Sequence, residues 1–462
     1  MTAVEQLGAW LAEAPATWPD EALHLAKRSF IDTVAVMIAG AGEPATRIVG
    51  DTVAAWGTGK SVVLGSNHKQ APAFAALVGG TAAHALDFDD NFDPAKAHAS
   101  AVLVPAIMAA GDDRDISGRQ ALDAYIVGLQ VMGRVGQGVN PFHRARGWHA
   151  TATLGTIGAA AAVARILKLE SIAATHALSL STSMAGGFMS QFGSMTKPAH
   201  AGLAAQGGIM AAYLAAGGLT AGADTLDGPQ GMATLMVGPD IEALREEMHG
   251  KAEHGQTMSF PDTPIGEPLH ILEYGLKVKR FPNCGSIHRA LDGLLQLRNE
   301  HGLRPDNVAR IVVRAPTAHL NNLMYERPVD GLQAKFSLEY GLACGLVTGG
   351  AGLADYTDEA VMRLDVRREM EKVVREPVDK FESEFDTEVH VTLVSGETVK
   401  TSIHMPVGSK DSPMTDDQLW DKFDACVSAV LSVDGCNELK QNLLAMGSDE
   451  PLSSVTSCCQ FQ

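Results

Sequence analysis

The sequence predicts a mainly α fold, with a large all-helical domain and a smaller α+β domain. Three observations carry this. Apolar residues recur at a helical period through most of the first 265 positions, the period shortens to two in several stretches between 266 and 405, and 462 residues exceed one ordinary core. Hydrophobic residues make up 46% and charged residues 19%, which is enough apolar material for large cores and disfavours disorder. Aromatics are only 5% while Gly numbers 47, a balance that suits helices in close contact through small side chains.

Taken in order, Pro19-Asp20 opens a helix to Ala39, with Leu23, Ala26, Phe30, Val34 and Ile38 near a 3.6 period. The same pattern predicts helices over Ala45 to Trp56, Ala71 to Ala85, Ala99 to Ala110, Gly118 to Val135, Thr151 to Leu167, Ser171 to Ser183 and Pro198 to Ala216. Stretches such as Gly158 to Val163 and Ile209 to Ala215 are apolar on nearly every side, which marks helices buried all round. Ser61 to Leu64 is the one strand expected in this part. After residue 266, strands are expected at Lys277 to Phe281 and Val308 to Arg314, with a hairpin of Val389 to Val394 and Thr398 to Met405 around Ser395-Gly396. Helices are expected at Ser286 to Glu300 and Lys335 to Val347, and the charged stretch from Asp355 to Glu384 reads as a solvated helix. Helical periodicity returns over Gln418 to Leu431 and Asn437 to Met446, and the closing residues from Ser453 to Gln462 read as loose.

A formal net charge of −18 repels phosphate backbones and anionic lipid, so nucleic-acid and membrane-surface roles are disfavoured. It also repels an anionic substrate, so a site for one must gather Lys, Arg and His locally. The six cysteines form no C-x-x-C pair and read as reduced thiols of a cytosolic protein. The opening residues, Met1 to Pro15, carry acid rather than a basic region, and no apolar run reaches the roughly 20 residues of a membrane span.

The familiar phosphate-loop, dinucleotide, zinc-protease and serine-hydrolase motifs are missing, which points to chemistry by side chains alone. Four segments stand out: His84 to Asp93 with Ala97-His98-Ala99-Ser100; Gly147-Trp148-His149-Ala150-Thr151; Ser194 to His200 around Lys197; and Lys279 to His288. His98, His149 and Lys197 each come just before a predicted helix, and Pro198 suits a first helical position. Helix N-termini attract carboxylates and lower the pKa of a nearby Lys or His. A cation or imidazole there can bind an anion and exchange a proton with it, as hydrogen abstraction next to a carboxylate requires. Against this, a lone His before a helix usually caps it or faces solvent, and an acidic loop such as Asp87, Asp89, Asp90 and Asp93 is more often solvated than a metal site. His84, His143, His200, His288 and His319 read as structural, and a small buried thiol is the default for Cys284.

Together these segments resemble the MmgE/PrpD family, which includes 2-methylcitrate dehydratase, cis-aconitate decarboxylase and iminodisuccinate epimerase. The resemblance rests on Asp32-Thr33-Val34 with Ala39-Gly40, the HALDFDD stretch from His84, the His98 and His149 segments, MTKPAHAGLAAQGG around Lys197, KRFPNCGSIH from Lys279, and Ala334 to Tyr340. It implies an all-helical domain built from residues 1–265 and 406–462, an α+β lid of residues 266–405, a homodimer, and neither cofactor nor metal. It implies His149, Lys197, His98 and Lys279 as catalytic groups, and Asp87, Asn91, Arg280 and Cys284 as substrate-binding ones. Cys284 falls where decarboxylase-like members have His, Asn91 where Thr is common, and Leu320 where that branch has Tyr. The likeness to the epimerase ranks proton abstraction and return on a small dicarboxylate first. A 2-methylcitrate dehydratase-like lyase that eliminates water comes next, a cis-aconitate decarboxylase-like lyase ranks below it, and a non-enzymatic carboxylate-binding scaffold is the distant third.

Overall fold

The computed structural model describes residues 1–248, 256–260, 264–380 and 384–461. The protein is mainly α with a small mixed sheet, and the chain divides into two compact units. The first holds Met1–Ala85, Asp89–Lys277 and Thr415–Gln462; the second holds Leu86–Phe88 and Val278–Met414.

The first unit is built on helices Asp20–Gly40, Pro72–Ala85, Ser100–Arg114, Gly118–Val139, Ala150–Ile166 and Thr196–Ala216. Every residue from Ala150 to Ala164 is buried, as expected for a helix apolar all round. Small residues permit this density. A Cβ on Gly202 would lie 2.2 Å from the Leu77 carbonyl oxygen, and one on Gly80 would lie 2.7 Å from Gly202 Cα. Helices Pro72–Ala85 and Thr196–Ala216 therefore touch backbone to backbone, which fixes the spacing of the side chains at their ends. Ends are defined by sequence too: Ser117 and Gln120 form a reciprocal capping box at the start of Gly118–Val139. Helix Asp416–Val427 returns to pack on Asp20–Gly40, where Lys422 Nζ meets Asp32 Oδ1 at 2.6 Å with both side chains buried. The expected strand at Ser61 shortens to β1 (Ser61–Val62), paired with β2 (Lys69–Gln70).

In the second unit, β3 (Val308–Pro316), β4 (Val373–Val378), β5 (Thr387–Leu393) and β6 (Thr398–Ile403) form a sheet in the order β4-β3-β5-β6. β3 and β4 run parallel, and the remaining pairs are antiparallel. Helices Gly285–His301 and Leu338–Thr348 contribute Ile287, Leu291, Leu294 and Leu342 to a core shared with Ile311, Val313, Val389 and Val391.

Several expectations are corrected. Lys277 to Phe281 is not a strand: Lys277 makes one bridge to Asn91, and Lys279 and Arg280 are then held by side-chain ion pairs. The helix expected from Lys335 starts at Leu338, because Ser337 accepts the Tyr340 N–H as its cap. The charged stretch from Asp355 holds short helices Asp358–Val361 and Leu364–Met370 and then β4, whose Val373 and Val374 pair with Ile311 and Val312; residues 381–383 of it lie outside the described residues. Its charges sit on an edge strand, where Arg375 pairs with Glu339 at 2.5 Å. The closing stretch is tied down, with helix Ser453–Ser457, buried Val455 and Cys459, and a bond from Thr456 Oγ1 to Asp112. The six cysteines are free, and no helix among the described residues is long and apolar enough to cross a membrane.

Candidate active site

In the first unit the chain ends of four helices bring imidazoles together. His84 stands in the last turn of Pro72–Ala85, His98 two residues before Ser100–Arg114, His149 at the N-cap of Ala150–Ile166, and His200 in the first turns of Thr196–Ala216. Ring centroids are 4.5 Å apart for His84 and His98, 5.8 Å for His84 and His149, and 5.2 Å for His149 and His200. His149 Nδ1 and His200 Nδ1 lie 2.9 Å apart, so one of them donates to the other. His149 Nε2 is buried with no hydrogen-bond partner among the described residues.

Lys197 lies within its helix rather than before it, because Thr196 begins the helix; Pro198 is then the third residue, where a missing N–H still costs no intrahelical bond. The side chain is buried, and Nζ lies 5.5 Å from the Phe192 ring, whose edge-to-face partner 5.0 Å away is His149.

Electrostatics sharpen the roles. Burial pushes His149 well below the ordinary histidine range, and electrostatic opposition from the neighbouring His84, Lys197, His200 and His98 adds to the effect. Burial likewise takes His84 down to about 3, against the opposing pull of Asp89. His200 is lowered by burial and then by Lys197. Burial works to raise the Asp89 carboxyl, but His84 and His98 outweigh it and hold the group well below its usual range. Asp90, buried and near Asp32 and Asp89, is pushed up to about 7 despite its bonds from Ser100.

The acidic stretch is not a carboxylate cage. Asp89 takes His84 and His98, Asp90 takes Ser100, and Asp93 Oδ2 takes Lys277 Nζ at 2.8 Å. The His84, Asp89 and His98 ligand-type atoms lie within 4.8 Å of one another, close enough to hold a cation, but hydrogen bonds among these residues account for the spacing. Asn91 is fixed through its backbone, which exchanges two hydrogen bonds with Lys277.

In the second unit, Lys279 is buried and its Nζ lies 2.8 Å from the Asp87 carbonyl oxygen and 3.1 Å from Asp87 Oδ1. Asp87 has φ +52°, the left-handed conformation that Asp tolerates better than most residues. Arg280 Nη1 pairs with Asp292 at 3.0 Å, and Cys284, half-buried, is the N-cap of Gly285–His301.

The structure thus brings His98, His149 and Lys197 into one array and adds His84, Asp89 and His200, which sequence reasoning passed over. A signal existed for His200, since it follows Lys197 by three residues and so shares its helix face. None existed for His84 and Asp89, whose pairing depends on how the helix end turns.

The chain matches the MmgE/PrpD N-terminal domain over residues 5–243 and the MmgE/PrpD C-terminal domain over residues 281–444. It is similar to human cis-aconitate decarboxylase, with 29% identity over 438 residues that cover 91% of this chain and 86% of that protein. It is 26% identical to the mouse cis-aconitate decarboxylase, covering 95% and 88%, and 25% identical to that of Aspergillus terreus strain NIH 2624, covering 93% and 89%. With both domains matched in order, this chain belongs to the MmgE/PrpD family.

Proposed function

We propose that this chain is an enzyme that moves a proton at the carbon next to a carboxylate in a small di- or tricarboxylic acid. The observation that carries the reading is the buried array of His84, His98, His149 and His200 around Asp89, with the Lys197 charge acting on three of them. Neutral buried imidazoles are weak bases as they stand. A carboxylate entering beside them brings opposite charge, raises their affinity for a proton, and so prepares the base only when substrate is present. His149 and Lys197 are the proton-transfer pair in this reading, with His98 beside them. Lys197 and the N-terminal N–H groups of Ala150–Ile166 stabilise the enolate-like charge that develops. Within the second unit, Lys279 and Arg280, with Asp87 and Cys284, are the candidate carboxylate-binding groups, and Asn91 is a candidate polar contact in the first.

The curated relatives are named for decarboxylation, and a lyase is the first reading of the reaction class. Loss of CO2 leaves an electron pair on carbon that an acid of the array protonates; alternatively, α-proton removal supplies the pair that expels a neighbouring hydroxyl as water. Epimerisation of a dicarboxylate such as iminodisuccinate, in which the proton returns from the opposite face, is the second reading. Cys284, Asn91 and Leu320 stand where the resemblance gives decarboxylase-like members His, Thr and Tyr, which weighs against decarboxylation without selecting epimerisation. A panel of small carboxylic acids incubated in D2O and followed by NMR separates them. CO2 release, a new double bond, or α-deuterium in an otherwise unchanged skeleton marks each reaction in turn. Tight binding with neither exchange nor turnover across the panel overturns the enzyme reading.

We also propose a homodimer. Leu203, Met210 and Leu214 are each more than 40% exposed and recur at helical spacing along one face of Thr196–Ala216, an apolar stripe of the kind partners cover. Sedimentation at one-chain mass contradicts this.

A further inference from the structure

We infer that Asp89 is a positioning residue that holds His84 and His98 with the proton on Nδ1, so that each carries its basic lone pair on Nε2. The importance of this for turnover rests on the proton-transfer reading above; the tautomers themselves do not.

The geometry fixes the sign. His98 Nδ1 lies 2.8 Å from the Asp90 carbonyl oxygen and 3.2 Å from Asp89 Oδ2. A carbonyl oxygen only accepts, so Nδ1 must donate and the proton is on it. His84 Nδ1 lies 2.8 Å from the same Asp89 Oδ2. The other oxygen, Oδ1, has no hydrogen-bond partner among the described residues, so the hydrogen bonding of this carboxylate is directed at the two rings. Both Asp89 and His84 are fully buried at the side chain, and His84 Nε2 likewise has no hydrogen-bond partner among the described residues.

The surroundings keep the acceptors in place. Ser100 donates a short bond to Asp90 Oδ2 and lies 2.6 Å from the Tyr125 hydroxyl, which anchors the residue whose carbonyl receives His98. The His98 backbone N–H donates to Thr151 Oγ1 at 3.0 Å, tying the loop to helix Ala150–Ile166. His84 then lies between His98 and His149, stacked on the latter at an interplanar angle of 22°. A carboxylate behind an imidazole sets the tautomer, fixes the ring and stabilises any imidazolium that forms. Burial alone opposes an ionised Asp89, but the two rings it binds outweigh that and keep it an anion.

Nitrogen NMR of the full-length protein labelled at histidine, assigned with His84→Gln and His98→Gln, reads the tautomers without any substrate. Both residues are expected to show pyrrole-type Nδ1 and pyridine-type Nε2. In Asp89→Leu His84 loses its acceptor and should show a tautomer mixture, whereas in Asp89→Asn the amide oxygen still accepts from both Nδ1–H groups, so the tautomers should persist without the negative charge. Exchange or turnover on the best substrate of the panel should fall about 10- to 100-fold in that variant, with Asp89→Glu retaining more of it than Asn. Protonated Nε2 in the wild type overturns the inference, and so does an Asp89→Leu protein with an unchanged His84 tautomer or an Asp89→Asn protein with an unchanged rate. Should Asp89→Asn fail to fold, the wild-type spectrum still decides. Absence of both exchange and turnover in the wild type removes the proton-transfer reading while leaving the tautomer result to be judged on its own spectrum.

Discussion

Replacing Lys422 by Met should destabilise the helical unit far more than replacing Lys422 and Asp32 together. Lys422 Nζ and Asp32 Oδ1 are 2.6 Å apart, and their side chains are 3% and 1% exposed. At an effective dielectric constant of about 20, two unit charges at that distance attract by about 6 kcal/mol. Taking both ions out of water costs several kcal/mol each, so the intact pair comes out near balance. Burial accordingly raises the Asp32 pKa, against the opposing pull of Lys422. Removing the Lys deletes the attraction and keeps the buried carboxylate, a loss of about 3–5 kcal/mol. Asp32→Leu with Lys422→Met removes both charges and should return to within about 2 kcal/mol of the wild type, or exceed it. Urea unfolding followed by circular dichroism and tryptophan fluorescence gives the double-mutant cycle. A single-variant loss below about 1 kcal/mol, or strictly additive losses, refutes the reasoning.

Gly202→Ala places a methyl against the Leu77 carbonyl and should cost about 1–3 kcal/mol while lowering activity, because His84 and Lys197 ride on the two helices it forces apart; urea midpoints and exchange rates check it. His143 is lowered to about 3 by burial and then by Arg144. Its folded form binds fewer protons than the unfolded chain, so its stabilising contribution is complete above the unfolded value and lost as pH falls from 6.5 towards 3. His143→Gln should therefore flatten the acid arm of a stability profile by up to about 1.4 kcal/mol per pH unit, and an unchanged slope counts against the assignment. Asp90, raised to about 7, runs the other way: its contribution is present below 3.8, the ordinary value of an Asp carboxyl, and fades as pH rises through about 7. Asp90→Asn should thus gain stability relative to the wild type across that interval. Ser337→Ala removes the cap on the Tyr340 N–H and should cost about 1 kcal/mol by the same urea assay.

Much of the helical unit was legible because burial on all sides leaves a plain signature. From Gly118 to Val139 and from Ala150 to Ile166 the chain is apolar or small at nearly every position, and caps such as Ser117 mark the starts. The β3 strand and the β5–β6 hairpin were legible for a different reason, as β-branched residues alternate around Ser395-Gly396. β4 was obscured because Arg375 and Glu376 lend it the look of a solvated helix, and only pairing with β3 overrides local charge. At the candidate site, the positions of His149 and Lys197 at helix starts were legible in the sequence. Asp89 was not, since an acidic loop residue reveals its partner only after the helix end folds His84 back on it. Lys279 and Arg280 fall in a stretch that reads as a strand, whereas ion pairs with Asp87 and Asp292 hold their side chains.

The most direct measurement is hydrogen exchange into substrate. Wild-type protein, Lys197→Met and His149→Gln are incubated in D2O with the panel of small di- and tricarboxylic acids, and deuterium next to a carboxylate is read by NMR. Wild type should introduce deuterium into at least one acid or its product, while both variants lose that activity and keep the wild-type circular dichroism. Full deuterium incorporation by both folded variants would contradict the assignment of His149 and Lys197 as the groups that move the proton.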